Sequence, residues 1–102
     1  MTTLIKDDIL ESLKEVYDPE IGINIVDLGL VYEVVVTDDG EAQITFTLTS
    51  VGCPAGAQIE NEIREAAASV DGISSVTSEM TMQPPWGPDK MSELARSALG
   101  FF

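Results

Sequence analysis

Histidine is absent from the 102 residues, cysteine occurs once, and 5 lysines and arginines stand against 18 aspartates and glutamates. Each scarcity excludes something. Without histidine the chain by itself has no ordinary general base, no Cys–His dyad and no imidazole ligand for a transition metal. One cysteine forms no internal disulfide, so nothing points to an oxidising compartment. A net charge of −13 argues against nucleic acid and against anionic membrane surfaces. It is compatible with a basic protein partner, or simply with a solvated acidic surface. No apolar run approaches the roughly 20 residues of a membrane helix. Met1 to Asp8 shows no basic region followed by an apolar stretch. The expectation is therefore a soluble, cytoplasmic protein with one domain spanning residues 1–102.

The apolar pattern orders the elements. Ile5, Ile9, Leu13 and Val16 recur at helical spacing and predict a helix over 5–17, with Thr3 a candidate cap and Asp18-Pro19 as its end. Between Glu20 and Gly29, Ile21, Ile23 and Ile25 alternate, but Gly22 and Asn24 weaken a strand, so an extended or looped segment is expected. Valine-rich Leu30 to Thr37 and alternating Glu41 to Leu48 flank Asp38-Asp39-Gly40 and read as a β-hairpin. Ala42, Ile44, Phe46 and Leu48 share the covered face; Gln43, Thr45 and Thr47 share the wetter one.

A helix is expected from Pro54 to Val70, with Gly72 at its left-handed C′ position, then a strand from Ile73 to Met82 with Val76, Met80 and Met82 on one face. Strand, helix, strand at this spacing is a right-handed crossover between parallel strands. After the stiff Gln83–Pro88 loop, a last helix over Pro88–Leu99 turns Met91, Leu94, Ala95 and Ala98 inward, and Gly100 stops it. The fold class is an α/β two-layer sandwich in the order α-β-β-α-β-α, a small mixed sheet with a hairpin and one crossover.

Chemistry concentrates in Thr49-Ser50-Val51-Gly52-Cys53-Pro54-Ala55-Gly56. Pro54 suits a first helical position, which places Cys53 at or beside the N-cap. Unpaired N–H groups and the helix dipole stabilise a thiolate there, so the thiol is expected to be more acidic than a free one. Gly52 and Gly56 keep its approach open. The alternative is an inert, buried, small apolar residue.

Connectivity brings three loops to one rim: Asp18–Asp27, Thr49–Cys53 and Pro84–Pro88. That rim, at the carboxyl ends of the parallel strands, presents Asp18, Glu20, Asp27, Thr49, Ser50, Cys53 and Trp86. Such groups can grip a metal or accept a proton. Plainer roles are open for each: Asp18 breaking a helix, Asp27 capping a turn, Thr49 and Ser50 bonding their own loop, Trp86 covering the core. One thiolate is too few for an iron–sulfur cluster, which normally takes four cysteines, so the remaining ligands would come from a second copy or a partner.

Four ordered motifs, Asp18-Pro19-Glu20, Asn24 to Tyr32, Thr49 to Pro54, and Pro84-Pro85-Trp86 followed by Asp89-Lys90-Met91-Ser92, resemble the SufT/PaaD-like family of metal–sulfur (iron–sulfur) cluster assembly proteins. Its fold is similar to the NifU C-terminal domain. The resemblance implies an iron–sulfur cluster assembly and maturation factor rather than an enzyme. It would act as a carrier or adaptor through Cys53, which would hold iron or a cluster transiently. Asp18, Glu20, Asp27, Thr49, Ser50, Gly52, Pro54 and Trp86 would form the shared pocket. Implied partners are iron–sulfur assembly proteins and client apo-proteins, and a homodimer is compatible. The alternative within the resemblance is an accessory component of a multicomponent oxygenase, PaaD-like, in phenylacetyl-CoA ring oxidation. Chains of that type often carry further cysteines after the one matched here, and none follows Cys53. A thiol-dependent enzyme is the weakest reading, since Glu20 or Asp27 would have to serve as base with a strongly raised pKa.

Overall fold

The computed structural model describes residues 2–49 and 55–100. Helix α1 (Thr2–Leu13) precedes a short helix α2 (Ile25–Leu28), strands β1 (Val31–Val36) and β2 (Glu41–Phe46), helix α3 (Gly56–Ala68) and strand β3 (Ser75–Met80). A 3-10 turn at Pro88–Lys90 and helix α4 (Glu93–Leu99) complete the order. The sheet is β1-β2-β3, with β1 antiparallel and β3 parallel to the central strand, as the hairpin and the crossover spacing predict. No helix of the described residues is long and apolar enough to cross a membrane.

The core lies between the sheet and the helices. Ile9 and Leu13 from α1, Ile59, Ile63 and Ala67 from α3, and Ala42, Ile44 and Phe46 from β2 are all buried. These are the positions that helical and strand periodicity assigns inward. The hairpin turn closes as expected, with Gly40 at φ +85°.

Several boundaries differ from the sequence expectation. Helix α1 starts at Thr2, so Thr3 lies inside it rather than capping it. It also ends at Leu13 rather than Tyr17. Beyond Leu13 the N–H groups of Lys14, Glu15 and Val16 bond three residues back, to Glu11, Ser12 and Leu13. This tightening to 3-10 geometry turns Val16 into the core and leaves Tyr17 half exposed.

The expected looped segment contains α2. Asn24 caps it: its Oδ1 accepts from the Asp27 N–H at 2.9 Å while its Nδ2 donates to Asp27 Oδ2 at 2.7 Å. The first helical residue of α3 is Gly56, with Ala55 as N-cap, not Pro54. At the other end the C-cap is Ser69, so Gly72, though left-handed at φ +93°, lies in the loop beyond C′.

The final helix is split. Met91 and Ser92 are extended, and Ser92 restarts the helix as a true N-cap, its Oγ accepting from Ala95 N at 3.2 Å. That interruption rotates the helical face, so Met91 and Ala95 are buried while Leu94 is 72% exposed and Ala98 is also exposed.

One strand-face expectation also fails. Thr47 is fully buried because the chain beyond β3 passes over it, with its Oγ1 donating to Met82 Sδ at 3.8 Å. Met80, on the Val76 side of β3, is half exposed, because among the described residues β3 is flanked on one side only.

Candidate functional site

Asp18 is the most buried acid of the described chain, 1% exposed. Its Oδ1 accepts the Glu20 N–H at 2.9 Å, and its carbonyl accepts from Ile21 at 3.2 Å and Gly22 at 2.7 Å. The turn is thus wound around Asp18, which does more than stop a helix. Glu20 points to solvent. The turn is closed by the isolated bridge Tyr17–Asn24 and by the Ile25 N–H donating to Val16 at 2.9 Å. Asn24 therefore couples the Asp18 turn to α2.

The far side of α2 meets the tryptophan loop. Trp86 Nε1 donates to the Leu28 carbonyl at 2.6 Å, and the Ser92 N–H donates to the Asp27 carbonyl at 2.7 Å. Tyr32 Oη donates to the Pro84 carbonyl at 2.8 Å, and Lys90 Nζ stands 5.3 Å from the centre of the Tyr32 ring. The loop is therefore held at three points, by α2, by β1 and by a cation–π contact. Gly29, left-handed at φ +79°, ends α2 and lets the Lys90 backbone lie against it.

Two of the three loops are thus joined, Asp18–Asp27 and Pro84–Pro88, with Trp86 partly buried against the core. Thr49 is half-buried where β2 leads toward the third. Ser50, Gly52, Cys53 and Pro54 lie outside the described residues. So do the acidity of the thiol and its place at a helix start. Gly56 does not hold an approach open: a Cβ there would stand 3.0 Å from Leu48 Cδ1, so it serves the packing of α3 against the end of β2. Among the described residues, no group of three or more cysteines, aspartates or glutamates is arranged to hold a metal ion.

Sequence reasoning missed Asn24 as a cap and the Tyr32–Lys90–Pro84 contact. The first was findable, since asparagine three residues before an aspartate is a capping signature. The second joins residues 52 apart along the chain and left no local signal.

Two substitutions test this scaffold. Asn24→Ala should lower the unfolding free energy by about 1 kcal/mol, read from the urea midpoint, because α2 loses its cap. Trp86→Phe keeps the ring but drops the bond to Leu28 and should cost about 1 kcal/mol. The lost bond should also show as a shifted Leu28 carbonyl resonance; an unmoved resonance would mean that bond does not form in solution.

Comparison with known proteins shows what the chain resembles. The family profile described as iron–sulfur cluster assembly protein covers residues 6–78. A Bacillus subtilis protein named Fe-S protein maturation auxiliary factor YitW is 43% identical over 100 residues, 98% of each chain. The Staphylococcus aureus Fe-S protein maturation auxiliary factor SufT is 46% identical, covering 83% of this chain and 97% of that one. A crystal structure of a domain of unknown function from Bacillus anthracis superposes with a TM-score of 0.93 at 34% identity, over 99% of this chain and 96% of that one. The oxygenase alternative is weaker: a putative 1,2-phenylacetyl-CoA epoxidase component of Escherichia coli is 37% identical, and the match spans 55% of its length. A profile matched from the middle of α1 to β3, near full-length relatives and a closely superposing fold agree: the chain belongs to the iron–sulfur cluster assembly protein family.

Proposed function

We propose that this chain is an iron–sulfur protein maturation factor, working in the cytoplasm as a carrier or adaptor rather than as an enzyme. Iron or a cluster fragment is its cargo, taken through the Cys53 thiolate with remaining ligands from an assembly protein or a client apo-protein. Asp27 and Trp86 belong to the cargo pocket, Asp18 fixes the turn beneath it, and Thr49, Ser50, Gly52 and Pro54 are assigned to the same pocket. Glu20 lies at the solvent side, where a partner reaches it.

What supports the reading is the likeness to maturation auxiliary factors over nearly the whole chain. The bracing of α2 adds to it: the helix is capped by Asn24 on one side and held by Trp86 and Ser92 on the other. A rim fixed this firmly offers a shaped surface rather than a floppy loop. One thiol without histidine supports transient holding, because a stable cluster needs more ligands than the chain owns.

Cys53→Ala in iron-starved cells should lower the activity of iron–sulfur client enzymes while the variant remains folded. Client activity equal to that of the unmodified protein would remove Cys53 from the mechanism. Anaerobic reconstitution with iron and sulfide, followed by visible absorbance, should give colour that the Cys53→Ala protein does not develop.

A further inference from the structure

The two edges of the sheet are unequal. Strand β1 is blunted: its register is broken between Val31 and Glu33, and Lys6 and Leu10 of α1 lie beside Val31–Val34. Strand β3 has none of these protections. It pairs with β2 in unbroken register from Ser75 to Met80, and it contains no proline, no lysine and one charge, Glu79. Helix α3 packs on its inner face, where Ser78 Oγ donates to Glu60 at 2.8 Å. Among the described residues, nothing pairs with its outer side. On the outer face a shallow depression of about 280 Å³ runs along the β2–β3 ladder, walled by Gln43, Thr45, Thr77 and Glu79. Among the described residues the ion pairs are Lys14–Glu11 and Arg64–Glu60, so Glu79 has no ion-pair partner there.

We infer that the free edge of β3 receives an extended, basic segment of a protein partner. That segment adds a strand to the three-stranded sheet and seats a lysine or arginine side chain in the depression beside Glu79. Backbone N–H and C=O groups of the edge supply affinity without reading sequence. The acid, the amide and the hydroxyls of the depression select a cation with donors to spare. Charge decides against a second copy of this chain: each carries −13, so pairing edge to edge would set like charges together. The docking is independent of Cys53 and has its own readout.

The test titrates the isotope-labelled chain with a capped seven-residue peptide alternating lysine and valine, and with one alternating glutamate and valine. Amide resonances of Val76 to Met80 should move with the basic peptide, and its affinity should fall several-fold from low to high salt. Glu79→Lys, an exposed substitution that leaves the core untouched, should weaken it at least threefold. Equal shifts with the acidic peptide, or shifts confined to the acidic face of α1, would overturn the proposal. So would concentration-dependent protection of the β3 amides without peptide, which would assign the edge to a second copy.

Discussion

Gly29→Ala is expected to cost about 2–5 kcal/mol of unfolding free energy, from two separate causes. Gly29 sits at φ +79° and ψ 26°, where its N–H bonds back to the Ile25 and Val26 carbonyls and ends α2. An alanine pays about 1–2 kcal/mol to hold that left-handed conformation. The second cause is space. A Cβ there would fall on the Lys90 carbonyl oxygen and stand 2.6 Å from its carbonyl carbon. The obstacle is backbone, so it cannot swing aside as a side chain would. The 3-10 turn must separate from α2, straining the bonds from Trp86 to Leu28 and from Ser92 to Asp27. Gly22→Ala is the internal control: its φ is +81°, but nothing lies within 4 Å of the added Cβ, so only the conformational cost remains. Urea unfolding of both variants should separate them by more than about 1 kcal/mol. Equal losses would mean that the approach of Lys90 to Gly29 does not exist in solution.

Phe46→Ala should cost about 3–5 kcal/mol, the range for removing a buried aromatic side chain and leaving a cavity. Phe46 is 1% exposed and ends the central strand, opposite Val31 on one side and Met80 on the other. Its carbonyl accepts from Thr81 at 2.9 Å, which fixes where the chain leaves β3 toward the tryptophan loop. Strands flank it on both sides and it lies in the core cluster, so the site can collapse only by moving the sheet against its helices. Against a total stability of order 5–15 kcal/mol, the variant should be close to unfolding at about 37 °C. A loss below about 1 kcal/mol in the denaturation midpoint would contradict the packing described. Phe46→Leu, which retains most of the volume, should recover more than half of the loss.

How far the site is legible in the sequence can be followed residue by residue. β1 starts where its antiparallel partner β2 ends, and the parallel crossover makes β3 end there too, which sets the loops of Asp27 and Trp86 on one rim, and the Trp86–Leu28 bond agrees. That bond also holds Trp86 against the core, the plainer of the roles open to it. Asp18 is visible as a helix breaker, but its burial is not. An aspartate before proline announces a turn, whereas being sealed under that turn depends on what folds over it. Leu94 departs from expectation for a related reason. Its spacing from Met91 assumes one continuous helix, and Ser92 restarts the helix, which rotates the apolar stripe.

By itself the sequence determined the strands, the hairpin turn, the parallel crossover, most of the core and the motifs that mark the family. Those depend on periodicity, turn chemistry and residue identity, which act over a few positions. Only the tertiary structure decided that Thr47 is buried, that Trp86 and Ser92 hold α2 from the far loop, and that, among the described residues, one sheet edge is guarded while the other is open. These depend on contacts between segments far apart in the chain. Burial and pairing there are set by which surface arrives opposite, and no local pattern encodes that arrival.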